Sequence, residues 1–229
     1  QMFRETESII QREMDFFPLK PYTNIVEGNA LRMDWNEVVP ASELNYIMGN
    51  PPFVGYSLQS KQQKEELSSV CVECGKNIDY VTGWYYKSAQ MMQNNPAIRA
   101  ALVSTNSITQ GEQVSAIWKP LFEKYNIHFD FAYRTFRWDS EASIKAHVHC
   151  VIIGFSAGFK GKRVLFNSDN LPSYVKNING YLVDAPNLFV ENRTKPICSV
   201  PEMFRGSQPT DDGNYILTEE EKDLLIEKE

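Results

Sequence analysis

The chain has 229 residues, of which 42% are hydrophobic, 12% aromatic and 23% charged, a profile that excludes a wholly disordered, collagen-like or coiled-coil protein. At roughly 150 residues per domain the length suits one large domain with part of a second, and the lack of any run of about 18 apolar residues leaves no transmembrane helix to expect. The net charge of −6 resides between Asp211 and Glu229, where eight acids face two lysines; the rest is neutral, so charge neither supports nor excludes a nucleic-acid partner.

The N-terminus is charged within five residues and has no apolar signal core. Ile9, Ile10, Met14 and Phe17 recur at helical spacing and predict an amphipathic helix. Residues 22–27 (YTNIVE) read as a short strand, and 44–48 (LNYIM) as another, stopped by Gly49, Asn50, Pro51 and Pro52. Residues 61–70 suit a polar helix, and 79–94 a helix ending before Pro96. A buried-type strand follows at 99–104, then a helix over 111–125, in which Pro120 is expected to cause a kink or an early end. Residues 127–133 and 146–155 are strands, the second rich in β-branched residues. Strands separated by helices imply an α/β protein with a mostly parallel sheet, whose ligands sit beyond the carboxyl ends of the strands.

Beyond about Asn167 the pattern weakens, interrupted by Pro172, Pro186, Pro196, Pro201 and Pro209. Residues 167–229 read as a linker and the start of a second module. It closes on a helix over 217–229, with Thr218 as N-cap and Glu221 three residues on. Both ends read as cut from a longer protein.

Four cysteines (Cys71, Cys74, Cys150, Cys198) are too few for a disulfide scaffold, so thiols in a reducing, cytoplasmic setting of bacterial type are expected. Cys71 and Cys74 form a lone CxxC without the second ligand pair that zinc needs. His147 and His149 lie one apart with no carboxylate beside them, which favours packed strand histidines over a metal site. Ser104, Thr105, Asn106 and Ser107 lack the G-x-S-x-G elbow of a serine nucleophile. No metal is expected. Most of Tyr80, Trp84, Tyr85 and Tyr86 should belong to the core. Eight bases against four acids between Lys119 and Arg163 form a modest basic region that suits phosphate or solvent.

The specific motif is Asn50-Pro51-Pro52-Phe53, directly after the strand LNYIMG. Read plainly it is a strand-ending turn, because Asn, Pro and Gly are turn formers. Read for chemistry it is the catalytic loop of an amino-group methyltransferase. Other stretches extend the likeness: residues 24–35 (NIVEGNALRMDW), 100–110 (AALVSTNSITQ) and 135–155 (TFRWDSEASIKAHVHCVIIGF). With them the chain resembles the class I S-adenosylmethionine-dependent DNA adenine-N6 methyltransferases. Within these it resembles the MmeI-like group, which joins methyltransferase, target recognition and often nuclease in one chain.

That resemblance implies part of a Rossmann-like class I sheet, mostly parallel with an antiparallel final strand and lacking the first strands. Residues 1–166 would be the C-terminal portion of the catalytic domain. Adenine's exocyclic amine is a poor nucleophile, because its lone pair is delocalised into the ring. The Asn50 side-chain oxygen and the Pro51 carbonyl would accept its N–H groups and draw it toward a nucleophilic geometry. Pro51 and Pro52 lock φ and remove competing donors, and Phe53 would stack on the flipped base. By position, Asn29, Ala30 and Asn50 would contact S-adenosylmethionine, and Phe136 or Trp138 would supply a second aromatic against the base. Asn29 stands where the family usually has an acid, and Ala30 where a larger apolar residue is common. Double-stranded DNA is the implied partner, and no membrane. The family's Gly-rich cofactor loop is absent upstream of Gly28, so an N-terminal portion of the same parent chain is expected to supply it, and this piece alone should bind cofactor weakly or not at all. Two other readings stay open: a DNA- or protein-binding module on a decayed methyltransferase fold, and methylation of another planar amine such as RNA adenine, cytosine or a protein Gln.

Overall fold

The computed structural model of the chain describes residues 25–72, 74, 77–138, 148–158, 161–167, 171–191, 193, 195, 198–200 and 216–227. Its strands are β1 (Tyr46–Gly49), β2 (Arg99–Thr105), β3 (His128–Trp138), β4 (Val148–Ser156), β5 (Arg163–Phe166) and β6 (Pro172–Val175). They form one sheet in the order β1-β2-β4-β3-β5-β6. The β1/β2 and β3/β5 pairs are parallel, whereas β4 runs antiparallel to both β2 and β3, and β6 to β5. Four strands therefore point one way, and β4 and the edge strand β6 are reversed, β4 being an antiparallel strand of the kind the resemblance implies.

The helices are α1 (Trp35–Val38), α2 (Lys61–Val70), α3 (Thr82–Asn94), α4 (Gly111–Glu123) and α5 (Glu219–Ile226). Ser60 and Gln63 form a capping box that starts α2 at the expected residue. Helix α4 passes through Pro120 and stops at Glu123, short of the expected 125. Proline lacks the N–H that would bond one turn back and crowds the carbonyl there, and the helix runs only three residues beyond it.

The core lies between the sheet and helices α3 and α4. Tyr85, Trp118, Phe129 and Phe155 are at most 1% exposed. Tyr85 meets Trp118 edge-on at 5.0 Å, and Trp118 meets Phe129 edge-on at 4.7 Å. Each such ring contributes about 1.5–3 kcal/mol through burial, and each good ring pair about 0.5–1.5 kcal/mol more. Their polar atoms are satisfied: Trp118 Nε1 donates to Ile108 O at 2.7 Å, and the Tyr85 hydroxyl bonds Ser104 Oγ at 2.8 Å. On β4, Gly154 faces Phe131 of β3, and a Cβ there would lie 2.1 Å from the Phe131 ring.

Several expectations change. Residues 25–27 carry no strand, and 22–24, like the N-terminal helix, lie outside the described residues. Strand β3 continues to Trp138, and β5 and β6 were not foreseen. Pro172 opens β6 at the sheet edge, a position where proline is tolerated because no partner needs its N–H. Cys71 and Cys74, expected as thiols, are joined in a disulfide with Cα atoms 5.4 Å apart, within bridging range. The chain divides into two compact units, Gln1–Glu191 and Asn192–Glu229. In the second, Thr218 and Glu221 form the expected capping box on α5. Among the described residues, no helix is long and apolar enough to cross a membrane.

Candidate active site

Strand β1 delivers Asn50 to the carboxyl end of the sheet. Asn50 and Pro52 are exposed, Pro51 is buried and Phe53 half-buried. The chain that follows is fastened to the segment preceding α3. Tyr80 N donates to Val54 O at 2.9 Å, Tyr56 N to Asp79 Oδ1 at 3.1 Å, and Gln59 Nε2 to Ile78 O at 2.8 Å. Asp79 is 5% exposed. Its other oxygen accepts from Ser107 Oγ and from Thr105 Oγ1, both at the end of β2. Its own N–H donates to Gln113 Oε1 on α4 at 3.1 Å. A carboxylate taken out of water must be met by donors, and here the donors come from two separate loops at the carboxyl edge.

Asn29 and Ala30 form a turn. Asn29 Oδ1 accepts from Leu31 N at 2.9 Å, and Ala30 O accepts from Trp35 Nε1 at 2.8 Å. Behind the turn, Arg32 Nε donates to the buried Glu66 at 2.7 Å and forms an ion pair with it. Glu66 also accepts from the Tyr80 hydroxyl and from Gln62 Nε2. The Tyr80 hydrogen bond holds the Glu66 carboxyl down at about 2, aided by Gln62, Asn29 and Arg32. Burial, with Glu66 beside it, pushes the Tyr80 hydroxyl up to about 12. The turn is drawn close to α3 by Gly83: a Cβ there would lie 2.8 Å from both methyls of Leu31. Tyr80 thus ties the two predicted site segments together, its N–H on Val54 and its hydroxyl on the carboxylate that holds Arg32.

The end of β3 reaches the same edge. Thr105, Cys150 and Phe136 lie on one rung across β2, β4 and β3. Phe136 is half-buried. Trp138 pairs with Val148 through the backbone; its ring lies outside the described residues. The structure therefore brings Asn50–Phe53 and the Phe136 end of β3 to one edge, with Asn29 and Ala30 joined to them through Tyr80. His149 is exposed opposite Arg137, and His147 lies outside the described residues. Among the described residues, no group of three or more His, Cys, Asp or Glu could hold a metal ion. A cavity of about 440 Å³, lined by Tyr56, Gln59, Lys64, Leu67, Cys71 and Ile78 among others, adjoins the loop but does not include Asn50 or Phe53.

Sequence reasoning missed Asp79 and Glu66. Asp79 opens a predicted helix, where an acid reads as an ordinary first-turn charge, and Glu66 falls in a helix read as polar throughout. Only their burial and distant partners set them apart.

The family model of the MmeI DNA-methyltransferase domain matches residues 1–167, and that of the MmeI target recognition domain matches residues 184–229. DNA methyltransferase A of Bacillus subtilis (strain 168) is 41% identical over 206 residues, covering 88% of this chain and 23% of that protein. A solved structure of the type IIL restriction-modification enzyme MmeI in complex with DNA matches with a TM-score of 0.87 and 43% identity, over 100% of this chain and 31% of that one. The chain thus spans a third or less of the length of these relatives. With its sheet, its Asn-Pro-Pro-Phe loop and this match over residues 1–167, the chain belongs to the MmeI DNA-methyltransferase family.

Proposed function

We propose that the parent protein of this chain is a DNA methyltransferase of the type IIL restriction-modification kind. It would transfer a methyl group from S-adenosylmethionine to the 6-amino group of an adenine flipped out of double-stranded DNA. The observation that carries this reading is the exposed Asn50 at the carboxyl end of β1, with Phe53 beside it and Phe136 on the same edge of the sheet. Asn50 Oδ1 and Pro51 O accept the two N–H groups of the amine and aim its lone pair. Phe53 holds the base by stacking, with Phe136 or Trp138 as the second aromatic wall. The remaining task is to keep the amine in line with the departing methyl group, a matter of positioning.

S-adenosylmethionine, when bound, supplies the electrophilic methyl. Asn29, Ala30 and Asn50 are the residues assigned to it here. The exposed Asn29 fits: its Oδ1 holds one N–H, from Leu31, and an amide oxygen has two lone pairs. Residues 1–166 are assigned to catalysis, and 167–229 to a linker and the start of target recognition, which depends on DNA. The Gly-rich contacts to the cofactor are assigned to parent residues outside this sequence.

The test is tritiated methyl transfer to DNA by the full-length parent, wild type against Asn50→Ala, with nucleoside analysis. Methyl-adenine from the wild type, reduced at least 100-fold by the substitution, is expected. A folded, cofactor-bound parent that methylates no DNA sinks the reading.

A further inference from the structure

We propose that Asp79 is the positioning residue of the catalytic loop, setting the placement of Asn50 and Phe53 through its bond to the Tyr56 N–H. The proposal rests on the methyltransferase reading above. Asp79 touches neither base nor cofactor in that reading, and it acts through the backbone it holds.

The argument begins with the stiffness of the loop. Pro51 and Pro52 fix φ at two successive residues, so Asn50 through Phe53 moves largely as one piece. Gly55 follows, with extended backbone at φ −62° and ψ 149°. Glycine is free to take other conformations, so the chain must be held on both sides of it. Tyr80 N holds Val54 O at 2.9 Å on the near side, and Asp79 Oδ1 holds Tyr56 N at 3.1 Å one residue beyond the glycine, so Asp79 and its chain neighbour form one clamp.

Asp79 is itself immobilised from three sides. Gln113 on α4 accepts its N–H, and Thr105 and Ser107 donate to its second oxygen. One buried carboxylate therefore cross-links the turn after β1 to the turn after β2. Both turns lie at the edge where the base is assigned. A displacement of about 1 Å at such a site costs about 100-fold in rate, even when its origin is remote from the chemistry. Affinity for DNA is set mainly by phosphate contacts elsewhere, so it should hardly change.

The experiment uses the full-length parent and measures kcat, KM for DNA, cofactor affinity and thermal midpoint. Asp79→Ala should lower kcat about 100-fold, with KM and cofactor affinity within about 3-fold of wild type. Asp79→Asn keeps an acceptor for the Tyr56 N–H and should recover at least about 10-fold of that loss. Tyr56→Pro deletes the N–H at the first residue of a 3-10 turn, where proline is locally tolerated. It is read against Tyr56→Ala, which loses the same ring and keeps the N–H. Tyr56→Pro should be about 100-fold slower than Tyr56→Ala, and the Asp79→Ala/Tyr56→Pro double variant no slower than either single within about 3-fold. Leu121→Ala, a core truncation on α4, controls for lost stability.

Equal rates for Tyr56→Pro and Tyr56→Ala overturn the proposal. So do losses that multiply in the double variant, or an Asp79→Ala defect reproduced by Leu121→Ala at matched midpoint. Failure of the parent reading looks different: wild type then forms no methyl-adenine, or Asn50→Ala is as fast as wild type.

Discussion

Glu66 is a carboxylate at 5% exposure, held by Arg32, Gln62 and the Tyr80 hydroxyl. Its folded value of about 2 lies below the usual 4.5. The stability it contributes is therefore complete above about pH 5 and is lost as pH falls from 4.5 toward 2. Glu66→Gln should cost about 2 kcal/mol at pH 7, the worth of a charged hydrogen-bond partner, and urea melts at pH 7 and pH 3 should show the gap closing on acidification. A gap that persists at pH 3 would assign the loss to packing instead. Asp130 runs the other way: burial raises it to about 6 despite Ser156, Arg99 and Arg163, so the stability contributed by its protonated form is present below pH 3.8 and is lost as pH rises to about 6. At this scale the sequence displayed one site and hid another. Four adjacent residues carry the Asn-Pro-Pro-Phe signal, so a linear reading finds it. Asp79 and Glu66 take their meaning from partners 23 and 34 residues away, Tyr56 and Arg32, and no linear pattern marks such pairs.

Elements were legible where local chemistry decides them. Helix α2 keeps its expected bounds, with a capping box at Ser60 that fixes its start, and α3 ends before Pro96 as expected. Strands β5 and β6 escaped notice because each has four residues, too few to display a period of two, and β6 opens on a proline. Pairing along the edge of β3, a tertiary fact, makes them strands. The 25–27 stretch failed in the opposite sense: apolar Ile25 and Val26 look strand-like, yet they are exposed and no pairing fixes them. The β3/β4 contact is the tightest test of the sheet. Phe131 covers Gly154, and a methyl group added there meets the ring at 2.1 Å. Gly154→Ala should cost about 1–3 kcal/mol as overpacking, and Phe131→Leu in the same chain should return part of it by vacating the space. If denaturant melts put Gly154→Ala within 0.5 kcal/mol of wild type (roughly the scatter of a surface change), the ring is free to move and the packing account fails.

At the scale of the whole molecule, this chain carries the turn at Asn29 and the Asn50 loop, while the Gly-rich contacts to cofactor are assigned to parent residues beyond it. Titration calorimetry of the isolated 229-residue chain with S-adenosylmethionine should show no micromolar binding, and the same titration of the parent should show it. Micromolar binding by the isolated chain would overturn the assignment of those contacts to residues beyond it. The order of the sheet adds a further consequence, for synthesis. Strand β4 is made after β3 yet lies between β2 and β3. Between the emergence of β3 from the ribosome and that of β4, while the stretch from Trp138 to Ser156 comes out, about 1–4 s at ordinary rates of translation, β2 and β3 wait with open edges toward a strand not yet released. An open edge is a template for wrong pairing, so the nascent protein is most in need of chaperone shelter during that interval, and synonymous codons that slow translation across it should lower the soluble yield.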